Sequence, residues 1–247
     1  FYSIIFLYTN KKVKKVKYTI IFLERKNKMD FNFIVENIPK YLEAMKLTVF
    51  IGIFGIIFSI LIGIVCALVL YYRVPAARQI VGIYIELSRN TPLVIQLFFL
   101  YFGLPKIGIT FNSYVCAVIG LSFLGGSYMC EAFRSGLESV SKGQRESGLS
   151  IGLTESQLIT NVILPQAFTV SFPAIAANII FLLKETSVIG ILALMELMYL
   201  TRDLIGLYYK TNESLFMLVA AYLIIILPVS FVLTVIERRI RYATVGN

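Results

Sequence analysis

Apolar residues run along this chain in long uninterrupted blocks, not in the short amphipathic repeats of a water-soluble fold. Four stretches carry no charged side chain: 47–72, 107–130, 156–183 and 214–236. Each supplies the roughly 20 apolar residues that a helix needs to cross a bilayer. A fifth, 90–105, is shorter. It becomes long enough only if its helix starts near Ile80 and kinks at Pro92, which brings Glu86 and Arg89 to the membrane edge or inside it. The alternative is an amphipathic segment, 75–89, feeding a short helix that Asn90 and Thr91 cap, with Pro92 in its first turn. The kinked span is the expectation adopted. The fold class is then all-α, a polytopic membrane protein with about five transmembrane helices.

Residues 29–46 mix polar positions with Phe31, Phe33, Ile34, Ile38, Tyr41, Leu42 and Met45. That mixture reads as an interfacial helix on the outer surface, interrupted by Pro39. An odd number of spans places the two chain ends on opposite sides. Arg238, Arg239 and Arg241 follow the last apolar block directly, and Arg73, Arg78, Arg134, Lys142 and Arg145 share their side. Lys40, Lys46, Lys106, Arg202 and Lys210 fall on the other. The positive-inside rule therefore puts the N-terminus outside and the C-terminus in the cytoplasm.

Composition agrees with lipid as the solvent, since 58% of residues are hydrophobic against about 45–50% in soluble domains. The formal charge of +9 misleads. Residues 1–28 hold eight Lys/Arg and one acid, and the remainder carries only +2. Nucleic-acid binding would rest on those first residues alone and is not expected. The first Met is Met29, and Glu24-Arg25-Lys26 can be encoded by a purine-rich run of the kind that precedes a bacterial start codon. Residues 1–28 therefore read as translated leader, the alternative being a native basic tail. The division expected is 1–28 leader or tail, 29–46 external helix, 47–242 membrane domain with a cytoplasmic loop at 141–165, and 243–247 tail.

Cys66, Cys116 and Cys130 lie in apolar blocks without a Cys-x-x-Cys pair, so neither a disulfide framework nor a metal site is expected. With no His, and only Asp30 and Asp203 as aspartates, a Ser-His pair, an H-E-x-x-H zinc site and an intramembrane aspartate pair are all excluded. An intramembrane enzyme is thus disfavoured, and a non-transporting scaffold is the other alternative.

The stretch 134–165 is too polar to span a bilayer and too helical to be slack. Ser141 or Gly143 can open a helix with Glu146 in its first turn, and Gly152 can end it. A second helix starts near Thr154, where Thr154 and Gln157 have capping-box spacing.

Glu146-Ser147-Gly148, then Gly152, then Val162-Ile163-Leu164-Pro165 resembles the EAA loop of importer permeases of the ATP-binding-cassette superfamily. Three flanking runs narrow this to the polar amino-acid permeases: Arg89-Asn90-Thr91-Pro92 through Gln96 to Gly103-Leu104-Pro105, Tyr128 through Glu131 and Arg134 to Gln144, and Lys184-Glu185-Thr186-Ser187 with Glu196-Leu197. Asn90 stands where the family usually has Gly. The resemblance implies a type I importer permease in a bacterial cytoplasmic membrane. Its partners would be ATPase subunits that bind ATP and Mg, a second permease subunit (a copy or a relative), an external solute-binding protein and a polar amino acid. It implies a coupling set of Gly143, Glu146, Ser147, Gly148, Gly152, Leu164 and Pro165, with the small residues allowing close approach to the partner. No cofactor is expected in the chain, which lacks a G-x-x-x-x-G-K-[ST] phosphate loop.

Ionisable and polar groups in apolar helices mark candidate solute positions. Lys184, Glu185, Thr186 and Ser187 could hold a zwitterion, with Thr186 or Ser187 capping a short helix over 188–200. Equally, Lys184 and Glu185 mark the outer membrane edge or pair across a subunit interface. Ser127, Tyr128 and Glu131 share a helical face, and either line the pathway or leave Glu131 to pair with Arg134. Gln96 either lines the path or makes interhelical hydrogen bonds. Gly52, Gly55 and Gly63 read as helix-packing positions.

Overall fold

The computed structural model describes residues 29–245, with only the backbone of 243–245. The expected leader, 1–28, lies outside the described residues, as do positions 246–247 of the expected tail. Helix is the only regular element among the described residues. The long elements are α1 (Phe31–Tyr71), α4 (Ser113–Ser139), α7 (Leu164–Glu185) and α9 (Thr211–Val245). Between them come α2 (Ala77–Asn90), α3 (Leu93–Phe98), α5 (Lys142–Ser150), α6 (Glu155–Leu158) and α8 (Leu197–Tyr208). Among the described residues, four stretches are long and apolar enough to cross a membrane: Phe31–Tyr71, Ser113–Ser139, Glu155–Leu192 and Thr211–Tyr242.

The centre is α4, where small residues let other helices approach its backbone closely. A Cβ at Gly126 would stand 2.6 Å from the Tyr84 hydroxyl of α2, and one at Gly120 would meet Leu97 of α3. The contact is reciprocal on α1, where a Cβ at Gly55 would lie 2.9 Å from Leu121 and one at Gly63 2.9 Å from the Cys130 backbone nitrogen. Gly52 approaches Leu183 of α7 in the same way. The core around this seam holds Ile51, Leu97, Leu121, Met129 and Leu182.

Two expectations about elements change. Residues 29–46 are not a separate interfacial helix, because α1 runs without a break through Pro39. Tertiary packing overrides the proline. Phe33, Tyr41 and Ala44 are buried against Leu197, Leu200 and Leu204 of α8 and Met217 and Ala221 of α9. The Tyr41 hydroxyl donates to the Ser214 carbonyl at 2.9 Å and also meets the Thr201 hydroxyl at 2.9 Å. Asp30 caps α1, accepting from Phe33 N, and pairs with Lys210 at 2.8 Å. The first turns of α1 therefore belong to a compact cluster at the end of the molecule remote from the 141–165 loop.

The stretch 80–105 is not one kinked helix either. Helix α2 stops at Asn90, Thr91 is extended (φ −117°, ψ 133°), and α3 restarts at Leu93 with Pro92 as its N-cap. Proline disfavours helical backbone at the residue before it, so the chain breaks where a kink was expected. The apolar run Leu93–Ile107 is shorter than the four candidate spans.

Candidate functional site

The 141–165 loop is a braced helical hairpin. Ser141 caps α5, its hydroxyl accepting from Gln144 N. The helix begins at Lys142, so Glu146 lies beyond the first turn, where it was expected. The helix ends in a Schellman arrangement: Gly152 N donates to Leu149 O at 3.0 Å and Leu153 N to Gly148 O at 3.1 Å, with Gly152 left-handed at φ +90°. Nothing crowds Gly152, so the position requires glycine for its backbone conformation and not for space. Thr154 and Gln157 form the full capping box that opens α6. Arg145 reaches across the turn to Glu155 at 2.9 Å.

Gly148 is small for an internal reason. A Cβ there would stand 2.6 Å from Leu158 Cδ1, and Leu158 is fully buried. The glycine lets α5 and α6 close on each other. Gly143 has open space around it. Glu146 and Ser147 are exposed, and Ile151, at 79% exposure, projects with Leu149 from the turn. Leu164 is exposed, and Pro165 follows a π-helical turn, Ile159–Ile163, that carries α6 into α7 without a break.

A second cluster lies along α4. Glu131 pairs with Arg134 at 2.9 Å, and Arg134 also holds Glu138. Arg89, at the end of α2, comes to 4.0 Å from Glu131, with its guanidinium 5.2 Å from the Tyr128 ring centre. Tyr128 packs on Phe181 of α7, and Asn178 donates to the Tyr128 carbonyl at 3.1 Å. Arg89 and Glu131 both remain partly open to the surface. Ser127 does not join them. It is fully buried and meets Ser88 of α2 at 3.0 Å, while Ser88 also donates to Phe123 O. Gln96 donates to Ser88 O and to both oxygens of Thr91, which fastens the break between α2 and α3. Sequence reasoning placed Arg89 at the membrane edge and at the head of the Arg89–Pro105 run, but did not pair it with Glu131. The signal for more was its place, a cation closing a helix just before a break.

The helix expected over 188–200 is absent. Helix α7 continues to Glu185 and tightens into a 3₁₀ segment, Thr186–Leu192, which ends at Ala193 with a left-handed backbone. Thr186 is fully buried and its hydroxyl donates back to Leu183 O at 2.7 Å, so it caps nothing. Lys184 is exposed, and Glu185 and Ser187 are half-buried. The helix that does follow is α8, capped by Glu196, whose carboxylate accepts from Met198 N and Tyr199 N at 2.7 Å each. Glu196 is 1% exposed, and burial pushes its carboxyl up to about 7.

Long apolar helices around a glycine-lined centre, with a braced polar hairpin at one end, define a multi-pass membrane protein of the permease kind. Residues 59–242 match the family of binding-protein-dependent transport system inner membrane components, and the chain belongs to that family. It is 37% identical over 174 residues to Probable amino-acid permease protein YxeN of Bacillus subtilis (strain 168), covering 69% of this chain and 78% of that one. It is 29% identical to Arginine transport system permease protein ArtQ of the same organism, over 86% of this chain and 98% of ArtQ. Its fold is shared with the crystal structure of an amino acid ABC transporter with histidines, at a TM-score of 0.79 and 27% identity, over 86% of this chain and 99% of that one. The architecture is that of a type I importer permease.

Proposed function

We propose that this chain is the membrane subunit of an ATP-driven importer that carries a polar amino acid into a bacterial cell by alternating access. Residues 143–165 dock on separate ATPase subunits, which bind the ATP and Mg. A second permease subunit completes the pathway and an external solute-binding protein delivers the solute. With the broken run α2–α3 as the fifth crossing, antiparallel to α4 by the contacts of Tyr84 with Phe123 and of Leu97 with Gly120, the N-terminus faces outward and the C-terminus the cytoplasm, which puts the hairpin on the ATPase side.

The observation that carries this reading is the bracing of the hairpin. Two capped helices, closed by Gly148 on Leu158 and by the Arg145–Glu155 pair, present Leu149 and Ile151 outward. A rigid element can pass a partner's movement to α7, which follows it directly; a slack loop would absorb that movement.

The amino-acid class draws on the names of the relatives and on the Arg89–Glu131 pair. At 4.0 Å the pair is loose. A zwitterion can insert, its carboxylate on Arg89 and its ammonium on Glu131, beside the Tyr128 ring. Lys184, Glu185 and Ser187 form an outer station on the same route. Ser127, Gln96 and Thr186 hold the helices that position it.

The test is Ile151→Glu in the complex with its ATPase, reconstituted in vesicles. Solute-stimulated ATP hydrolysis and uptake of labelled amino acid should both fall to background while membrane insertion is normal. Full uptake by that variant would remove the docking role.

A further inference from the structure

At the hairpin end of the molecule a cavity of about 500 Å³ opens between the end of α1 and the start of α5, lined among others by Tyr71, Arg73, Leu137, Ser141, Lys142 and Arg145. Two of its cations stand where local structure disfavours them. Arg73 has φ +52°. It occupies the left-handed position of a Schellman turn, with Arg73 N donating to Leu70 O at 3.2 Å and Val74 N to Val69 O at 3.1 Å. Glycine fits that position without a steric penalty and arginine does not. Lys142 is the first residue of α5, at the positive end of the helix dipole, and the first turn of α5 contains no acid to offset it. Among the described residues neither Arg73 nor Lys142 has a carboxylate partner, whereas Arg145 is held by Glu155 and the lining acid Glu138 by Arg134. The positive-inside bias calls for cations near span ends. It does not call for one at a left-handed position and another at a helix N-terminus, both facing one cavity.

A second feature adjoins the first. An apolar groove of about 430 Å³ runs between α1, α4 and α7, lined by Ile60, Ile64, Leu68, Phe133, Phe168 and Phe172, and it meets the basic cavity at Leu137, which lines both. A basic chamber joined to an apolar groove has the shape and chemistry of a charged headgroup with its acyl chain.

We infer that this is a binding site for an anionic phospholipid, its phosphate held by Arg73 and Lys142 beside the Ser141-capped start of α5, and one acyl chain lying in the groove. A lipid bound there touches the end of α1 and the start of the hairpin together, so it ties the presentation of α5 to the membrane. The inference concerns the lipid alone and does not depend on which solute is carried.

The full chain, purified and delipidated in detergent, is offered phosphatidylglycerol and phosphatidylcholine together, and retained lipid is counted by native mass spectrometry. Phosphatidylglycerol should be retained in preference, and Arg73→Gly and Lys142→Ala should each lower its retention about fivefold. Because glycine relieves the backbone at 73, the unfolding midpoint of Arg73→Gly should hold or rise, so loss of lipid is distinguishable from misfolding. Equal retention of the two lipids by the unaltered chain would overturn the inference. So would displacement of phosphatidylglycerol by inorganic phosphate, which would mark a free-anion site. Ready disulfide formation between two Ile64→Cys chains in a bilayer would also overturn it, since a second copy would then cover the groove.

Discussion

Gly148 lies against Leu158 so closely that a Cβ there would stand 2.6 Å from Leu158 Cδ1. This contact closes the hairpin and makes the loop a folded element in its own right. Gly148→Leu should therefore open it, at a cost of about 1–3 kcal/mol from overpacking. Limited proteolysis of the loop measures this, with faster cleavage between α5 and α6 expected. Gly148→Ala should be milder, and Leu158→Ala in the same chain should relieve it, a coupling that a double-mutant cycle reads directly.

The turn residues separate shape from contact. Gly152→Val has room for its side chain but forces a β-branched residue to φ +90°, at a cost of about 1–2 kcal/mol. It should lower both loop stability and coupled uptake. Ile151→Glu changes a side chain that is 79% exposed. It should leave the unfolding midpoint unchanged and abolish coupling. If the two variants behave alike in a stability assay, the outward face of the turn is not acting through contact.

Arg89 and Glu131 predict a division of substrate affinity. Arg89→Ala should weaken uptake of any α-amino acid, because the carboxylate loses its cation. Glu131→Gln should weaken binding through the ammonium while still accepting a hydrogen bond from Arg134. Each should raise the half-saturating concentration for uptake by about tenfold, the scale of one charge-assisted hydrogen bond. Competition between an amino acid and its deaminated analogue separates them, since only the Glu131 variant should stop discriminating between the two.

Glu196 predicts a pH dependence of stability at the opposite end of the molecule. It sits outside the four candidate spans, beside Leu197, whose backbone N–H donates to the Thr48 hydroxyl at 3.3 Å. Burial raises its carboxyl from an ordinary value near 4.5 to about 7, against the opposing pull of the Met198 and Tyr199 N–H groups and the charge of Arg202. A raised carboxyl binds its proton more tightly when folded. Its stabilising contribution is thus fully present below about pH 4.5 and is lost as pH rises to about 7. Thermal unfolding in detergent should show a falling midpoint over that window. Glu196→Gln should flatten the slope, and an unaltered slope would assign it to another group.

The four long helices were legible from charge-free length alone, because a bilayer imposes that length on any helix that crosses it. The hairpin was legible too, from Ser141, Gly152 and the Thr154–Gln157 box, since caps and left-handed turns depend on neighbours only a few residues apart. What misled was local reasoning applied where distant contacts decide. Pro39 looked like an interruption, yet α1 continues through it because Tyr41 and Ala44 are packed on α8 and α9. Thr186 looked like a cap, yet it is buried inside a continuing helical run.

By itself, then, the sequence determined the helical class, the long apolar helices and the hairpin with its turns, all set by hydrophobic length and short-range backbone chemistry. The tertiary structure alone decided that Arg89 stands beside Glu131, forty-two positions away, that Gly148 serves Leu158, and that Arg73 and Lys142 face one cavity. Those pairings arise from how closely α1, α2 and α7 approach the glycine-lined faces of α4 and from how α5 folds back on α6. Approach distances of that kind are set by packing between elements, which no local pattern of residues encodes.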